Sequence, residues 1–205
     1  MLVATKRFLQ VALANSGSNM ASPMSLSESI RDSKELRRAL VAELDHGLKY
    51  VDGEIEGVVI RALKFFHDQR GWLIETFRHD ELDKDCWPTM MYVSSTLPGV
   101  ARGPHEHVDQ TDGFAFIGPS DFRLYLWDSR PDSKTRGHRT TITVGASNPT
   151  SVWIPPGVVH AYRNVGEVPG LVFNAPNRLY AGWGKKEPVD EIRHEDADPP
   201  RFILD

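Results

Sequence analysis

Two histidine-containing segments constrain this sequence more than any other feature. The first is GVARGPHEHVDQTDGFAFIG, residues 99–118, and the second is PPGVVHAYRN, residues 155–164. On a β-strand, residues two apart point to the same side, so His105 and His107 are expected to face one interior. A second strand carrying His160 would bring its imidazole to meet them. The sequence therefore predicts a pocket lined by three imidazoles inside a β-structure.

Short segments rich in Val, Ile, Phe, Tyr, Trp and Thr predict a chain made largely of strands. Gly, Pro, Asp or Asn, the residues that form turns, bound each segment. The segments are 56–66, 71–77, 90–95, 113–117, 122–127, 139–144, 151–154 and 168–174. So many short strands are typical of an antiparallel sandwich or barrel. We predict an all-β domain over residues 48–205, with a charged, solvated tail wrapped over the barrel from Tyr180 onward.

The first 47 residues are predicted to lie outside that domain. Residues 1–24 are expected to be a leader or a disordered extension, since Lys6 and Arg7 precede a short apolar stretch. From residue 25 the pattern becomes helical, beginning with a capping-box pair at Ser25 and Glu28. Apolar residues then recur at helical spacing up to Gly47. We predict an amphipathic helix over residues 25–47.

Composition and charge exclude several function classes. The net charge of -4 and the isoelectric point near 6.1 supply no basic surface for nucleic acid. No apolar run approaches the roughly 20 residues that a membrane span needs. Cys86 is the single cysteine, so an internal disulfide is excluded and a reducing compartment is favoured. We expect a cytoplasmic protein whose partner is a small molecule.

The spacing of the two segments resembles the paired motifs of the cupin superfamily. The matching residues are Gly99, His105, His107, Asp112, Gly118, Pro155, Gly157, His160 and Asn164. This resemblance implies a cupin-type antiparallel β-barrel, or jelly roll. The side chains of His105, His107, Asp112 and His160 could hold one divalent transition metal. The alternative is a metal-free barrel in which the histidines face a substrate.

A second resemblance covers residues 57 to 180. The segments DQRGWLIE (68–75), RGPH (102–105), DSR (128–130) with SKT (133–135), and IPPGVVH (154–160) are similar, in the same order, to motifs of the dTDP-4-dehydrorhamnose 3,5-epimerase family. That resemblance implies a cupin-type homodimer that works without a cofactor on a nucleotide-diphosphate sugar. It also implies isomerase chemistry beside a ketone.

The same resemblance implies roles for individual residues. His105 would be the catalytic base, and Arg70 and Arg102 would bind the diphosphate. Glu75 would contact the nucleoside end, and His160 would line the pocket. The alternatives are a turn ion pair with Asp68 for Arg70 and an ion pair with Asp109 or Glu106 for Arg102. For Glu75 the alternative is a solvent-facing position on a strand.

The sequence departs from the family at the residues that complete the chemistry. The family's catalytic tyrosine falls at Phe173, which has no hydroxyl, and the C-terminal Ser-x-Lys-Asp motif is missing. Tyr180 is a candidate replacement acid that would also contact the substrate. A metal is another candidate, but a ligated His105 could not also be the free base. Three functions stay open: an epimerase, a metal-dependent cupin oxygenase or lyase, and a non-catalytic sugar-binding cupin.

Overall fold

A computed structural model describes residues 36–37, 48–197 and 199–205. In these ranges the chain forms thirteen strands and three short 3-10 turns. The strands are β1 Val51–Asp52, β2 Val59–Ala62, β3 Phe65–Asp68, β4 Gly71–Ile74, β5 Tyr92–Thr96, β6 Ala101–Glu106, β7 Asp112–Gly118, β8 Asp121–Asp128, β9 His138–Gly145, β10 Thr150–Ile154, β11 Val158–Asn164, β12 Gly170–Asn174 and β13 Ile192–Arg193. The predicted all-β class is confirmed.

Two facing sheets enclose the core. One has the strand order β1-β9-β8-β11-β6-β13 and the other the order β2-β10-β7-β12-β5, while β3 and β4 form a separate hairpin. All pairings are antiparallel except that of β1 with β9. Aromatic and aliphatic side chains from both sheets fill the space between them, including Phe116, Phe122, Leu124, Val152 and Val172. Burying these apolar surfaces is the main stabilising contribution.

The strand boundaries correct some of the sequence predictions. The segment 56–66 is not one strand, because the chain leaves the sheet after Ala62. Strand β10, which pairs with β2, begins after Pro149. Proline has no N–H with which to continue the hydrogen bonds between these two strands. Segment 71–77 is a strand only as far as Ile74. The two histidine segments contribute β6 and β11, as the motif spacing predicted.

The C-terminal segment is not merely a solvated tail. Ile192 is fully buried, and Phe202 packs against Trp127 on the outer face of the first sheet, with ring centroids 5.3 Å apart. Strand β13 adds to that sheet by pairing with β6. The charge pattern concealed these contacts because the apolar residues are widely spaced among acids. The last part of the chain therefore supports the strand that carries His105.

Only Leu36 and Arg37 of the predicted N-terminal helix are described, and both are helical. The rest of the predicted helix and the predicted leader lie outside the described residues. The Arg37 guanidinium donates to the carboxylate of Glu106 at 2.9 and 3.0 Å and to the carbonyl of Gly157 at 3.2 Å. Glu106 is fully buried and also accepts from His194 at 3.1 Å. This part of the segment thus contacts the barrel.

No helix in the described ranges has the length and apolar character that a membrane crossing requires.

Candidate active site

A β-bulge in β6 places Arg102 and His105 on the same face. His160 on β11 lies opposite His105, and Tyr162 lies opposite Arg102, so β6 has one residue more than β11 over this stretch. On a regular strand, residues three apart point to opposite faces, and the bulge is what keeps these two side chains on one face. Gly103 makes the bulge possible. Its φ is +79°, and a Cβ there would lie 2.5 Å from the carbonyl oxygen of His160.

Four polar side chains converge at one end of the barrel lumen. One nitrogen or oxygen atom from each of His105, His107, Asp112 and His160 lies within 4.8 Å of the corresponding atoms of the others. The ring centroids of His105 and His160 are 4.4 Å apart, and those of His105 and His107 are 5.6 Å apart. The predicted convergence of the three imidazoles is therefore observed. We call these four residues the histidine cluster.

His107 is held from both sides of its ring. Its Nδ1 donates to the backbone carbonyl of Asp190, and its Nε2 lies 3.1 Å from Asp112 Oδ2. The Asp190 carboxylate accepts the backbone N–H groups of residues 108, 109 and 110 at 2.8–3.0 Å. Gln110 in turn donates to Asp112 Oδ1 at 2.8 Å. A loop from the C-terminal segment thus fixes the orientation of this imidazole.

His160 and His105 differ in how they are held. His160 is 1% exposed, and its Nδ1 donates to the carbonyl of Val158 at 3.1 Å. Its Nε2 lies 3.3 Å from Asp112 Oδ2 but makes no properly directed hydrogen bond. The His105 side chain is only partly buried, and nothing in the described ranges hydrogen-bonds to it. The cluster therefore contains two anchored imidazoles and one unanchored imidazole.

Burial and mutual charge shift the pKa values in the cluster. Burial and the neighbouring imidazoles, His160 first, lower the pKa of His105 well below its ordinary value. Burial also opposes the charge of His107, but Asp112 outweighs it and raises the pKa of His107 to about 9. The nearby imidazoles likewise outweigh burial at Asp112 and hold its pKa well below the ordinary range. At neutral pH the unanchored imidazole is neutral, whereas His107 and Asp112 form an ion pair.

The second sheet supplies the opposite wall of the lumen. Tyr92 on β5 pairs with Asn174 on β12, which pairs with Phe114 on β7, so all three share the inner face. The Phe114 and His160 rings are 5.6 Å apart. The Tyr92 hydroxyl accepts from Asn174 Nδ2 at 2.7 Å, and burial, followed by the charge of Asp112, raises the pKa of Tyr92 to about 12. Tyr92, which is 46% exposed, therefore lies on the inner face of the sheet opposite the cluster.

Phe173 lies on the other side of β12. It pairs with Ala115 and Val93, next to the inward-facing Asn174, so strand alternation turns its ring away from the lumen. The position predicted to match the family's tyrosine thus offers no group to the pocket. Tyr92 went unrecognised as a site residue because nothing in its local sequence shows that β5 pairs with β12.

The other predicted substrate-binding residues lie in varied settings. Arg102 donates to Thr96 Oγ1 at 3.0 Å and to the carbonyl of Ser95 at 3.1 Å, and so reaches from one sheet to the other. Arg70 lies at the tip of the β3–β4 hairpin. Its side chain is 88% exposed and pairs with Asp68 at 2.5 Å. The Arg70 guanidinium is therefore bound to a carboxylate of the same turn.

Glu75 and Tyr180 lie outside the cluster's contacts. The Glu75 carboxylate is 3.6 Å from the guanidinium of Arg78 and lines a cavity of about 190 Å³ beside Trp153, with no cluster residue in its wall. Tyr180 is 56% exposed, and its backbone N–H lies 3.1 Å from the sulfur of Met90. Of the predicted site residues, the structure brings together the histidine cluster, with Arg102 on the same face.

An antiparallel barrel whose lumen carries histidines from β6 and β11 is a cupin-type protein. A family model for dTDP-4-dehydrorhamnose 3,5-epimerase matches residues 52–181. Because the match covers well over half of the sequence, the chain belongs to the dTDP-4-dehydrorhamnose 3,5-epimerase family. This relationship places it among the epimerases, which are isomerases.

Similar proteins agree with that assignment. The probable low-salt glycan biosynthesis epimerase Agl13 of Haloferax volcanii is 36% identical over 127 residues, covering 62% of this chain and 81% of the relative. The spore coat polysaccharide biosynthesis protein SpsL of Bacillus subtilis is 36% identical over 115 residues, covering 56% and 75%. A solved dTDP sugar isomerase from Desulfovibrio desulfuricans G20 shares the fold with a TM-score of 0.63 at 24% identity, covering 73% and 91%.

Proposed function

We propose that this protein inverts a carbon beside the ketone of a 4-keto sugar nucleotide, with His105 as the base. The observation that carries the proposal is the unanchored imidazole of His105 on the same face as Arg102. A base must be free to take a proton, and a nucleotide sugar needs a cation near its diphosphate. The bulge at Gly103 supplies both on one strand.

The chemistry requires no oxidant or reductant. His105 removes the proton from the carbon next to the ketone, and the electron pair of the broken C–H bond moves onto the ketone oxygen to give an enolate. A proton is then returned to the opposite face of that carbon, and the C=O bond forms again. The net result is inversion with no change in oxidation state.

Tyr92 is our candidate for the returning acid. Its hydroxyl lies on the sheet that faces His105, and the hydrogen bond from Asn174 fixes its position. Base and acid on opposite walls of one lumen suit a reaction that takes a proton from one face and delivers it to the other. Tyr180, our sequence-based candidate, lies in a turn and is 56% exposed, whereas Tyr92 is 46% exposed but lies on the inner face of a strand.

Substrate recognition is proposed to combine two residues on the inner face of the barrel with two outside it. Arg102, an exposed residue on the inner face of β6, would bind the diphosphate, and His160 would line the sugar pocket. Arg70 and Glu75 are exposed and would contact the nucleotide from the β3–β4 hairpin region, in a homodimer if a second chain presents them. Light scattering on the purified protein would test the dimer. Location in the cytoplasm likewise remains a proposal.

Deuterium wash-in tests the activity. The protein is incubated in D₂O with dTDP-4-keto-6-deoxyglucose and related 4-keto nucleotides, and label at C3 and C5 is followed by NMR. We expect incorporation with the wild type and a loss of about 100-fold or more in H105Q, as removal of a general base predicts. The matched control is H138Q, on β9, a strand that carries none of the proposed site residues. Failure of every 4-keto nucleotide to incorporate label would reject the proposal.

The same experiment separates the other candidates. Binding of the sugar nucleotide without label incorporation would favour a non-catalytic sugar-binding cupin. A metal-dependent oxygenase or lyase is favoured by one observation, the four donor atoms of the histidine cluster. Such an enzyme would consume its substrate rather than return an epimer, which product analysis by mass spectrometry would show.

A further inference from the structure

We propose that Arg37 is a positioning residue that fixes β6 against β11 from the outer side of the barrel, and thereby sets the place of the catalytic base. Its effect on the reaction rests on the function proposed above, whereas its effect on the histidine cluster does not. Arg37 lies outside residues 52–181, the part of the chain that the family model matches. A segment beyond the family match would therefore complete the active site.

The first observation is a buried carboxylate between two residues of the cluster. Glu106 lies between His105 and His107, so strand alternation turns its side chain away from the lumen. It is nevertheless fully buried. Arg37 Nε and Nη2 donate to one of its oxygens at 3.0 and 2.9 Å, and His194 Nε2 lies 3.1 Å from the other. Because Glu106 joins the two histidines in the chain, its position governs theirs.

The charge of this carboxylate makes Arg37 necessary. Burial opposes ionisation of Glu106, but the hydrogen bond from His194 and the charge of Arg37 outweigh it and lower its pKa. Among the described residues, His194 is the only other side chain that bonds to this carboxylate. A buried charge that loses one of two partners is strongly destabilised, and the chain around it has to move to find a replacement.

The second observation is that the same guanidinium reaches the start of β11. Arg37 Nη2 also donates to the carbonyl of Gly157 at 3.2 Å. Gly157 precedes Val158, the first residue of β11, which carries His160. The backbone N–H of Gly157 donates in turn to the carbonyl of His107 at 2.8 Å. One side chain thus joins the two chain segments whose imidazoles meet in the lumen.

The third observation is that the space beside Gly157 is occupied by this guanidinium. A Cβ at this position would lie 2.7 Å from Arg37 Nη2 and 3.0 Å from Arg130 Cγ. Its φ of +78° is also one that favours glycine. The absence of a side chain at this turn is what allows Arg37 to approach the backbone closely enough to bond to it.

The base depends on this support more than its neighbours do. No hydrogen bond within the described ranges holds the ring of His105, so its place is set by the backbone of β6. A misplacement of about 1 Å at a reacting group can cost about 100-fold in rate. Arg102, on the same strand, has bonds of its own to Thr96 and Ser95 on the second sheet. Loss of Arg37 should therefore lower kcat more than it raises KM.

Four variants of the full chain separate position from stability. R37M leaves the buried carboxylate with one partner fewer and should lower the urea concentration at the midpoint of unfolding. The double variant R37M/E106Q removes both charges together and should recover most of that loss. R37K keeps a positive charge without the planar fork. The matched control is R139M, because Arg139 also pairs with a carboxylate at 2.9 Å, that of Asp52, but on β9, which β8 separates from β11.

The rate of epimer formation gives the first measurement. We expect kcat to fall by about 10–100-fold in R37M and to stay equally low in the double variant, with KM within about threefold of the wild type. R37K should recover kcat to within about tenfold of the wild type, and R139M should not differ from it. A residue that acted only through stability would instead regain its kcat when the double variant regains its midpoint.

A spectrum recorded without substrate gives the second measurement. The ring nitrogens of ¹⁵N-histidine-labelled protein are correlated with their carbon-bound ring protons by NMR, and the signals of the cluster are assigned with H105Q, H107Q and H160Q. The double variant has the same net charge as the wild type, so a shift of these signals reports a displaced ring. We expect the signals of His105 and His107 to move in the double variant and to stay in place in R139M.

Two results would overturn the proposal, and both concern folded R37M/E106Q. One is a set of unmoved signals from His105 and His107, and the other is a wild-type kcat. Should R37M fail to accumulate as folded protein, the double variant and R37K decide the question by the same measurements. Moved ring signals together with a wild type that acts on no 4-keto nucleotide would uphold the positioning role of Arg37 and reject the proposed function.

Discussion

Asn164, at the end of β11, offers a quantitative test of how the barrel is closed. The residue is fully buried, and its side chain makes four hydrogen bonds. Oδ1 accepts from Ser120 Oγ at 2.7 Å and from the backbone N–H of Gly166 at 3.0 Å. Nδ2 donates to the carbonyls of Thr96 and Val168, both at 2.8 Å. One side chain thus joins β11, β5 and two loops.

The expected cost of N164A follows from that count. A buried hydrogen bond contributes about 1 kcal/mol net, so the loss of four bonds should lower the free energy of unfolding by about 4 kcal/mol. The matched variant S120A removes only one of the four bonds and should cost about 1 kcal/mol. The ratio between the two variants is the sharper prediction, because it does not depend on the exact value of one bond.

Equilibrium unfolding in urea, followed by tryptophan fluorescence, measures both variants. The slope of the free energy of unfolding against urea concentration should be the same in both variants and the wild type. The loss of stability should then show as a lower urea concentration at the midpoint of unfolding. Should N164A lose no more stability than S120A, the four bonds would not act as counted and the reasoning would be refuted. If N164A does not accumulate as folded protein, S120A still tests the value of a single bond.

Three further predictions concern other parts of the molecule. Burial opposes ionisation of Asp128, but hydrogen bonds from Arg130 and two hydroxyls outweigh it and lower its pKa to about 2. The ionised Asp128 should therefore add about 2 kcal/mol to the free energy of unfolding above pH 4, and this contribution should disappear as the pH falls toward 2. D128N should lack this pH dependence, which urea titrations at a series of pH values measure. Y92F should lower the rate of epimer formation by about 100-fold, whereas F173Y, on the outer face, should leave it unchanged. Equal rates of epimer formation in Y92F and wild type would exclude Tyr92 as the acid. D190A should lower the free energy of unfolding by about 3 kcal/mol in urea titrations, because the Asp190 carboxylate accepts three backbone N–H groups of the loop after β6, and D190N should cost less, since its amide keeps one oxygen for them.

Much of the fold and part of the site could be predicted from the sequence. Alternation and turn residues indicated the strands, and the two-residue spacing indicated that His105 and His107 share a pocket, which the ring distances confirm. The His160 imidazole lies beside those of His105 and His107 because its segment forms a strand next to β6. These are consequences of local pattern, which a sequence displays directly.

The remaining features depend on contacts between distant segments. Asp190 holds the loop after β6 from about eighty residues away, and no local motif marks it. Tyr92 enters the lumen because β5 pairs with β12, a register that the sequence does not show. The resemblance puts the family's tyrosine at Phe173, yet strand alternation turns that ring outward. The positions of these side chains are therefore set by contacts and strand register between distant segments.

The extra residue in β6 has a consequence for how such proteins diverge. Deleting one residue between Arg102 and His105 would leave a spacing of two, which simple alternation also turns to one face, so both side chains would keep their inward direction without the bulge. Substituting Gly103 while keeping the bulge would be harder to accommodate, because its φ of +79° is one that L side chains rarely adopt and a Cβ there would lie 2.5 Å from the carbonyl oxygen of His160. The pocket should therefore tolerate loss of the extra residue better than a side chain at Gly103.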